Sequence, residues 1–307
     1  CKHHLQLLGR MQRTMADPET HIPAPTVALI GFGEAGESFA RAAGWQNASG
    51  WDVLAARRAA MAAHGVRAGA DAADTLAGAG CALSLVTADA ALGAARDCAP
   101  LLPQGALWLD MNSVAPATKR AAADAIVAAG GRYVDVAVMA PVDKGRAVPL
   151  LLAGPDAAEA QGVLGALGFG NIRVVGDAVG RASAIKLCRS VMVKGMEALT
   201  AEMVLAAAQA GVLDEVLASL DASEKPVGWR ERSDYNLDRM LIHGRRRSEE
   251  MREAAAMLRD LGLAPMLSEN TVKWQQALGE LGFAPPPDGL TAKLDVIRAT
   301  PGFKGEN

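Results

Sequence analysis

Aromatic residues are scarce in this chain: Phe, Trp and Tyr make up 4% of its 307 positions. That argues against a β-sandwich or barrel, whose half-buried strands rely on such side chains. Cysteine is scarce as well. Cys1, Cys81, Cys98 and Cys188 form no C-x-x-C pair, which excludes a disulfide framework or zinc finger and fits free thiols in a reducing, cytoplasmic compartment. None of the five histidines has H-E-x-x-H or related spacing, so no metal is expected. Neither sign of charge dominates: the formal net charge is −3, which leaves no electrostatic footprint for nucleic acid. No apolar run approaches the roughly 20 residues of a membrane span, so no membrane partner is expected. Residues 1–25 lack the apolar stretch of a signal peptide and read as a mobile N-terminal extension outside the fold.

The most telling stretch is Thr26 to Ala43, TVALIGFGEAGESFARAA. A short apolar strand pattern, Val27–Ile30, runs into Gly31-Phe32-Gly33-Glu34-Ala35-Gly36, and a helical pattern follows over Gly36–Ala43. This G-x-G-x-x-G between strand and helix is the dinucleotide fingerprint in its meaningful context. Gly31 serves the tight turn, Gly33 the approach of a pyrophosphate, and Gly36 close packing of helix on strand. The other reading is a structural turn without a ligand. Further strand patterns fall at Trp51–Ala55, Cys81–Val86, Ala106–Leu109 and Tyr133–Val136, with helical patterns such as Pro116–Ala129 between them. Alternating strands and helices predict an α/β fold, a doubly wound parallel sheet of Rossmann type covered on both faces. Thr87 follows the third strand, where such sheets bind ligands.

An acidic residue about 20 positions beyond the glycines would bind the ribose of NAD. The predicted strand Trp51–Ala55 instead ends at Ala56-Arg57-Arg58, and Asp52 falls too early in it. An arginine there can pair with a 2′-phosphate, so NADP(H) is favoured over NAD(H). The bland reading is a helix start in solvent.

After Gly180 no strand pattern remains. Arg181 to Ala210 reads as one long helix with Gly195 as its only breaker and Gly211 as C-cap. Helical patterns continue at Asp214–Leu220, Asn236–Leu241, Ser248–Leu261 and Glu269–Glu280. The expected organisation is a dinucleotide-binding domain over 26–180 and an all-helical substrate and dimerisation domain over 181–307. On the long helix, Ser183, Ser190, Lys194 and Glu197 fall within about a quarter-turn of Lys186. Such a stripe either faces solvent or lines a wet cleft. Arg245, Arg246 and Arg247 follow His243-Gly244, read as a turn. They form a surface patch, or one of them reaches a substrate anion.

GFGEAG, DMNSVAP (Asp110–Pro116), DVAVMAPV (Asp135–Val142) and GRASAIKLCRS (Gly180–Ser190) resemble four successive motifs of the β-hydroxyacid dehydrogenases, the family of 3-hydroxyisobutyrate and 6-phosphogluconate dehydrogenases. HGRRRSEEMREAA (His243–Ala255) resembles a branch of phosphogluconate-dehydrogenase-like oxidoreductases with its own helical C-terminal domain. The resemblance implies an enzyme: an NAD(P)-dependent oxidoreductase that transfers a hydride between nicotinamide and a small hydroxy acid, or reduces the matching semialdehyde or keto acid. Lys186 matches the family's general acid/base. Asn112 joins the cofactor candidates (Gly31, Phe32, Gly33, Glu34, Ala35, Gly36, Arg57, Arg58 and Thr87). Ser113, Met139, Ser190, Arg246 and Arg247 are the candidates for binding a small anionic hydroxy-acid or carbonyl substrate. A homodimer through the helical domain is implied too.

There are departures from the family. Met139-Ala140-Pro141 replaces the usual Ser-Gly-Gly, Ser190 replaces an asparagine, and Ala35 replaces a methionine. The substrate cannot be inherited across such changes. An imine reductase on the same architecture and a catalytically silent NADP-binding sensor are the rival expectations.

Overall fold

The structure is a computed structural model that describes residues 26–301 apart from 42, 46, 224 and 225. The expectation for residues 1–25 falls outside the described residues. The chain divides into two compact units, 1–189 and 190–307.

The first unit contains strands β1 (Val27–Ile30), β2 (Ala48–Trp51), β3 (Arg67–Ala68), β4 (Cys81–Ser84), β5 (Leu107–Asp110), β6 (Arg132–Val138), β7 (Leu150–Ala153) and β8 (Ile172–Gly176). They form one sheet in the order β3-β2-β1-β4-β5-β6-β7-β8. All neighbours are parallel except β6 and β7, where Val136 pairs with Leu152 in antiparallel register. The chain steps outward from β1 to β2 and β3, then crosses back to β4, so the topological switch lies between β1 and β4.

Side chains alternate across a strand, and this sheet is covered on both faces. Val27 and Leu29 face one core with Leu83 and Leu109; Ala28 and Ile30 face the other with Ala82 and Trp108. Helices α1 (Glu34–Ala40), α2 (Ala55–Met61) and α6 (Ala157–Ala166) cover the first face through Phe39, Met61 and Leu164. Phe39 meets Phe169 edge-on at 5.2 Å. Helices α3 (Ala72–Leu76), α4 (Ala91–Cys98) and α5 (Pro116–Ala128) cover the second through Leu76, Ala95 and Ile126. Small alanines on α4 and α5 let these helices approach closely, consistent with the composition. Cys81 and Cys98 are buried free thiols, and burial pushes the pKa of both up to about 12.

Two expectations shift here. The second strand is Ala48–Trp51, not Trp51–Ala55, and Arg57 and Arg58 lie inside α2. Its sequence, Ala-Ser-Gly-Trp, carries no strand signature because Gly50 must make room: a Cβ there would lie 2.9 Å from Met61 Sδ. The last two strands, β7 and β8, were not expected, and β7 makes the sheet mixed.

Helix α7 (Arg181–Gln209) begins in the first unit and continues into the second, and Gly211 follows its end at φ +71°. The second unit also holds α8 (Leu213–Ser223), α9 (Trp229–Asp260), α10 (Met266–Gly279) and α11 (Leu290–Ala299). Leu241, Leu278 and Ile297 form its small core. Glu202 on α7 accepts the N–H groups of Leu267 and Ser268, both at 2.9 Å, and so caps α10. The expected turn at His243-Gly244 does not exist. Gly244 lies inside the continuous α9, pressed against Gly279 of α10, and a Cβ on it would collide with the Gln275 carbonyl oxygen. Its glycine serves a helix crossing, not a chain reversal.

Candidate functional site

The turn after β1 shows what each glycine is for. Gly31 has φ +94°, and a Cβ on it would lie 2.5 Å from the Leu85 carbonyl oxygen. A Cβ on Gly36 would lie 2.9 Å from the Gly31 carbonyl oxygen. The fold itself therefore demands glycine at both positions. At Gly33 it does not: nothing lies within 4 Å of where its Cβ would be. Helix α1 starts immediately after, with Gly33 as N-cap, a residue with no side chain to cap the first N–H groups. An open glycine beside uncapped donors fits an anion carried in from outside.

This turn forms one wall of a cleft of about 820 Å³ at the carboxyl ends of β1, β2 and β4. Asp52, Arg57 and Thr87 line it too. The size and the glycine wall fit a dinucleotide.

With β2 ending at Trp51, Asp52 is the first residue after the strand, so this strand does lead into an acidic residue. Asp52 Oδ2 accepts the Phe32 N–H at 2.7 Å and Oδ1 accepts the Leu54 N–H at 2.8 Å. The carboxylate thus ties the glycine turn to the end of β2. The two arginines separate. Arg57 lines the cleft, 3.6 Å from Glu37. Arg58 is not among the cleft's lining residues. Its guanidinium stacks on Trp51 at 4.5 Å and donates to the Asp52 carbonyl at 2.6 Å, a structural use.

A second cavity, of about 360 Å³, is lined by Lys186 together with Met111, Ala140 and Pro141. It shares Glu34, Ala35, Leu85 and Val142 with the larger cleft. Lys186 is half-buried, and the structure brings it to a cavity that adjoins the glycine-walled cleft. Glu34, the exposed first residue of α1, lies on both walls.

Other candidates lie elsewhere. Asn112 lines neither cavity. It is buried, and its amide nitrogen donates to Asp110 Oδ1 at 2.8 Å and Ser84 Oγ at 2.9 Å, while its own Oδ1 has no protein partner. Ser113 is exposed and lines neither. Met139 packs against Ala137, Leu151, Ala153 and Ala182 while Ala140 and Pro141 line the cavity. Ser190, Arg246 and Arg247 belong to the second unit. Arg246 is exposed, and Arg247 is half-buried with its Nε lacking a hydrogen-bond partner. The side chains of Lys194 and Glu197 lie outside the described residues.

Sequence reasoning missed a buried ionic cluster behind the cavity. Lys119 is fully buried, with Nζ 3.0 Å from Asp110 Oδ1 and 3.5 Å from Asp135 Oδ1. The Tyr133 hydroxyl donates to Asp110 Oδ2 at 2.6 Å. Burial, then the neighbouring Asp110 carboxylate, push that phenol far above its ordinary range. The signal was available: an aspartate inside the apolar run Tyr133–Val138 must be paired, since charged side chains are almost never fully buried alone. Among the described residues no three His, Cys, Asp or Glu side chains gather as a metal site. No described helix is long and apolar enough to cross a membrane.

Comparison with known proteins follows this division. The NAD binding domain of 6-phosphogluconate dehydrogenase matches residues 26–176, and a domain of unknown function, DUF1932, matches residues 207–278. A conserved hypothetical protein from Sinorhizobium meliloti is 37% identical over 90% of this chain and 96% of its own, with a TM-score of 0.57. A conserved protein of unknown function, described as structurally similar to 3-hydroxyacid dehydrogenases, is 32% identical over 83% of this chain and 96% of its own, at 0.56. A variant of an imine reductase from Myxococcus stipitatus, in complex with NAD+, is 20% identical over 89% of this chain and 99% of its own, at 0.72, and shares the fold. An uncharacterized 28.5 kDa protein of Methanothermus fervidus is 29% identical over 54% of this chain, and the match spans 63% of that relative's length. The chain joins a 6-phosphogluconate-dehydrogenase-type NAD-binding domain to a DUF1932 domain, and it belongs to the family of these two conserved proteins, one of which is described as structurally similar to 3-hydroxyacid dehydrogenases.

Proposed function

We propose that this protein is an NADP(H)-dependent oxidoreductase that interconverts a small hydroxy acid and its carbonyl form, with Lys186 as the proton carrier. The observation that carries this reading is the position of Lys186 in a cavity that shares four lining residues with the glycine-walled cleft. Nicotinamide, when bound, supplies or accepts the hydride. Gly33 and the first N–H groups of α1 would hold the pyrophosphate, and Arg57 would pair with the 2′-phosphate. Asp52, committed to two backbone N–H groups, braces the turn instead of selecting the ribose. Glu34 brings a negative charge to this wall, so the phosphates rest on backbone donors more than on side chains. Lys186 gives a proton to the carbonyl oxygen in reduction and takes it from the hydroxyl in oxidation. Leu85, Met111, Val138 and Pro141 line the cavity beside it.

The test is a panel of hydroxy acids, keto acids and semialdehydes run with NADP(H) and NAD(H) in parallel. Lys186→Ala is expected to lower kcat by about 10²- to 10⁴-fold, the usual worth of a general acid/base, with NADPH binding retained. Full turnover in that variant would sink the mechanism. Arg57→Ala is expected to weaken NADPH about tenfold and NADH little, one charge-assisted contact being worth about 1.4 kcal/mol.

A second reading, imine reduction, draws support from the apolar cavity wall at Ala140-Pro141 and from the imine reductase neighbours. Cyclic imines belong in the same panel. NADPH binding without any turnover would instead mark a sensor. Exposed Met192, Met196 and Leu199 on α7 support a homodimer through the helical unit, which a clean monomer in sedimentation would contradict.

A further inference from the structure

The buried charges behind the cavity take no part in that mechanism, yet they lead to Lys186. Asp135 stands on β6 with no exposure to solvent. Its carboxylate receives the first turn of α7: Oδ2 accepts the N–H groups of Gly180 at 3.1 Å and Ser183 at 3.0 Å, and Oδ1 accepts the Ser183 hydroxyl at 2.6 Å. This is a helix cap supplied by a different element, satisfying donors that the helix cannot satisfy itself. Lys186 stands three residues beyond Ser183, about 60° away around the same helix. Where Asp135 holds Ser183 therefore sets the depth and rotation at which Lys186 meets the cavity.

The same carboxylate is linked to a second part of the cavity lining. Lys119 bridges Asp135 and Asp110, and Asp110 Oδ1 accepts the Asn112 N–H at 2.9 Å. That bond fixes the Asp110–Asn112 bend, from which Met111 lines the cavity. Stability alone is a weak reason for such a cluster, because replacing buried ion pairs with apolar side chains is often neutral or stabilising.

We infer that Asp135, acting through Ser183, is a positioning residue that orients Lys186 against the cavity wall. This rests on the reading of Lys186 as the proton carrier, so the test measures the lysine without any substrate. The full-length protein is pulse-labelled with trinitrobenzenesulfonate over a pH series. Modification of Lys186 is then quantified against exposed Lys273 by mass spectrometry, and NADPH binding is followed by fluorescence.

Ser183→Ala is expected to change the Lys186-to-Lys273 labelling ratio by at least about threefold, equivalent to half a pKa unit. Ser183→Thr, which keeps the hydroxyl, is expected to restore it, and NADPH affinity stays unchanged in both. Asp135→Asn is expected to change the ratio more, and if that variant fails to fold, the serine pair still decides. An unchanged ratio in folded Ser183→Ala overturns the inference, as does failure of threonine to restore it. A protein that turns over no substrate but passes the labelling test leaves the positioning intact and rejects only the reaction.

Discussion

Each unit buries one lysine between two aspartates, and the two arrangements differ in their contact with water. Lys119, Asp110 and Asp135 are all at most 1% exposed. Lys293 is 2% exposed, but its partners on α9, Asp234 at 2.7 Å and Asp238 at 3.0 Å, are 31% and 34% exposed. In the second unit the lysine itself is desolvated, but its carboxylate partners stand at the water's edge and keep part of their hydration. In the first unit the whole cluster is dry. Three further side chains, the Ser183 and Tyr133 hydroxyls and the Asn112 amide, and the backbone N–H groups of Asn112, Gly180 and Ser183 complete the carboxylates' hydrogen bonding. A dry cluster fixes geometry at high cost; a wet-edged pair ties two helices cheaply.

Substitutions can separate the two cases. Lys119→Met leaves two carboxylates buried without a cation, and is expected to destabilise the first unit by about 3–5 kcal/mol, read as a lowered melting transition in calorimetry. Gly244→Ala acts on the second unit by packing alone, forcing α9 from α10, and is expected to cost about 1–3 kcal/mol. That change leaves NADPH binding in place. Lys293→Met is expected to cost about 1 kcal/mol or less, as for a partly solvated pair. A loss as large as that of Lys119→Met would erase the distinction.

The pH dependence has a definite sign. Burial works to lower the Lys293 pKa, but the hydrogen bond from the ammonium to Asp234 and the close Asp238 carboxylate outweigh it and raise the pKa above the ordinary lysine value. The stabilisation is therefore fully present below the unfolded-state value of about 10.4, and is lost as pH rises through the higher folded value. Native protein and Lys293→Met are expected to converge in melting temperature only in that alkaline range.

Much of this molecule is legible in its sequence, and the failures have physical causes. β1 and its turn stand out because an apolar strand abuts glycines whose roles are backbone roles. α7 stands out because 29 residues run without proline to a glycine at positive φ. β2 hides because Gly50 leaves the space Met61 needs and Ser49 gives its hydroxyl to the Thr75 carbonyl at 2.7 Å, so neither residue serves strand propensity. That misplacement moved Asp52 from the strand end to its interior and made the arginines look like the strand's terminus. Gly244 misled because a glycine demanded by a neighbouring helix looks the same in sequence as one demanded by a turn. Of the candidate site, Lys186, Arg57 and Thr87 reach the cavities, whereas Asn112 and Met139 are held by packing that only the three-dimensional neighbours reveal.

The glycine turn finally offers a way to read descent. Gly31 and Gly36 are required by the chain's own backbone, whereas among the described residues nothing crowds the place of a Cβ on Gly33. In any lineage that kept this architecture after abandoning its nucleotide, the outer two glycines would persist and the middle one would drift. A side chain at position 33 in a related chain is thus a record of lost binding, written in a protein that still folds.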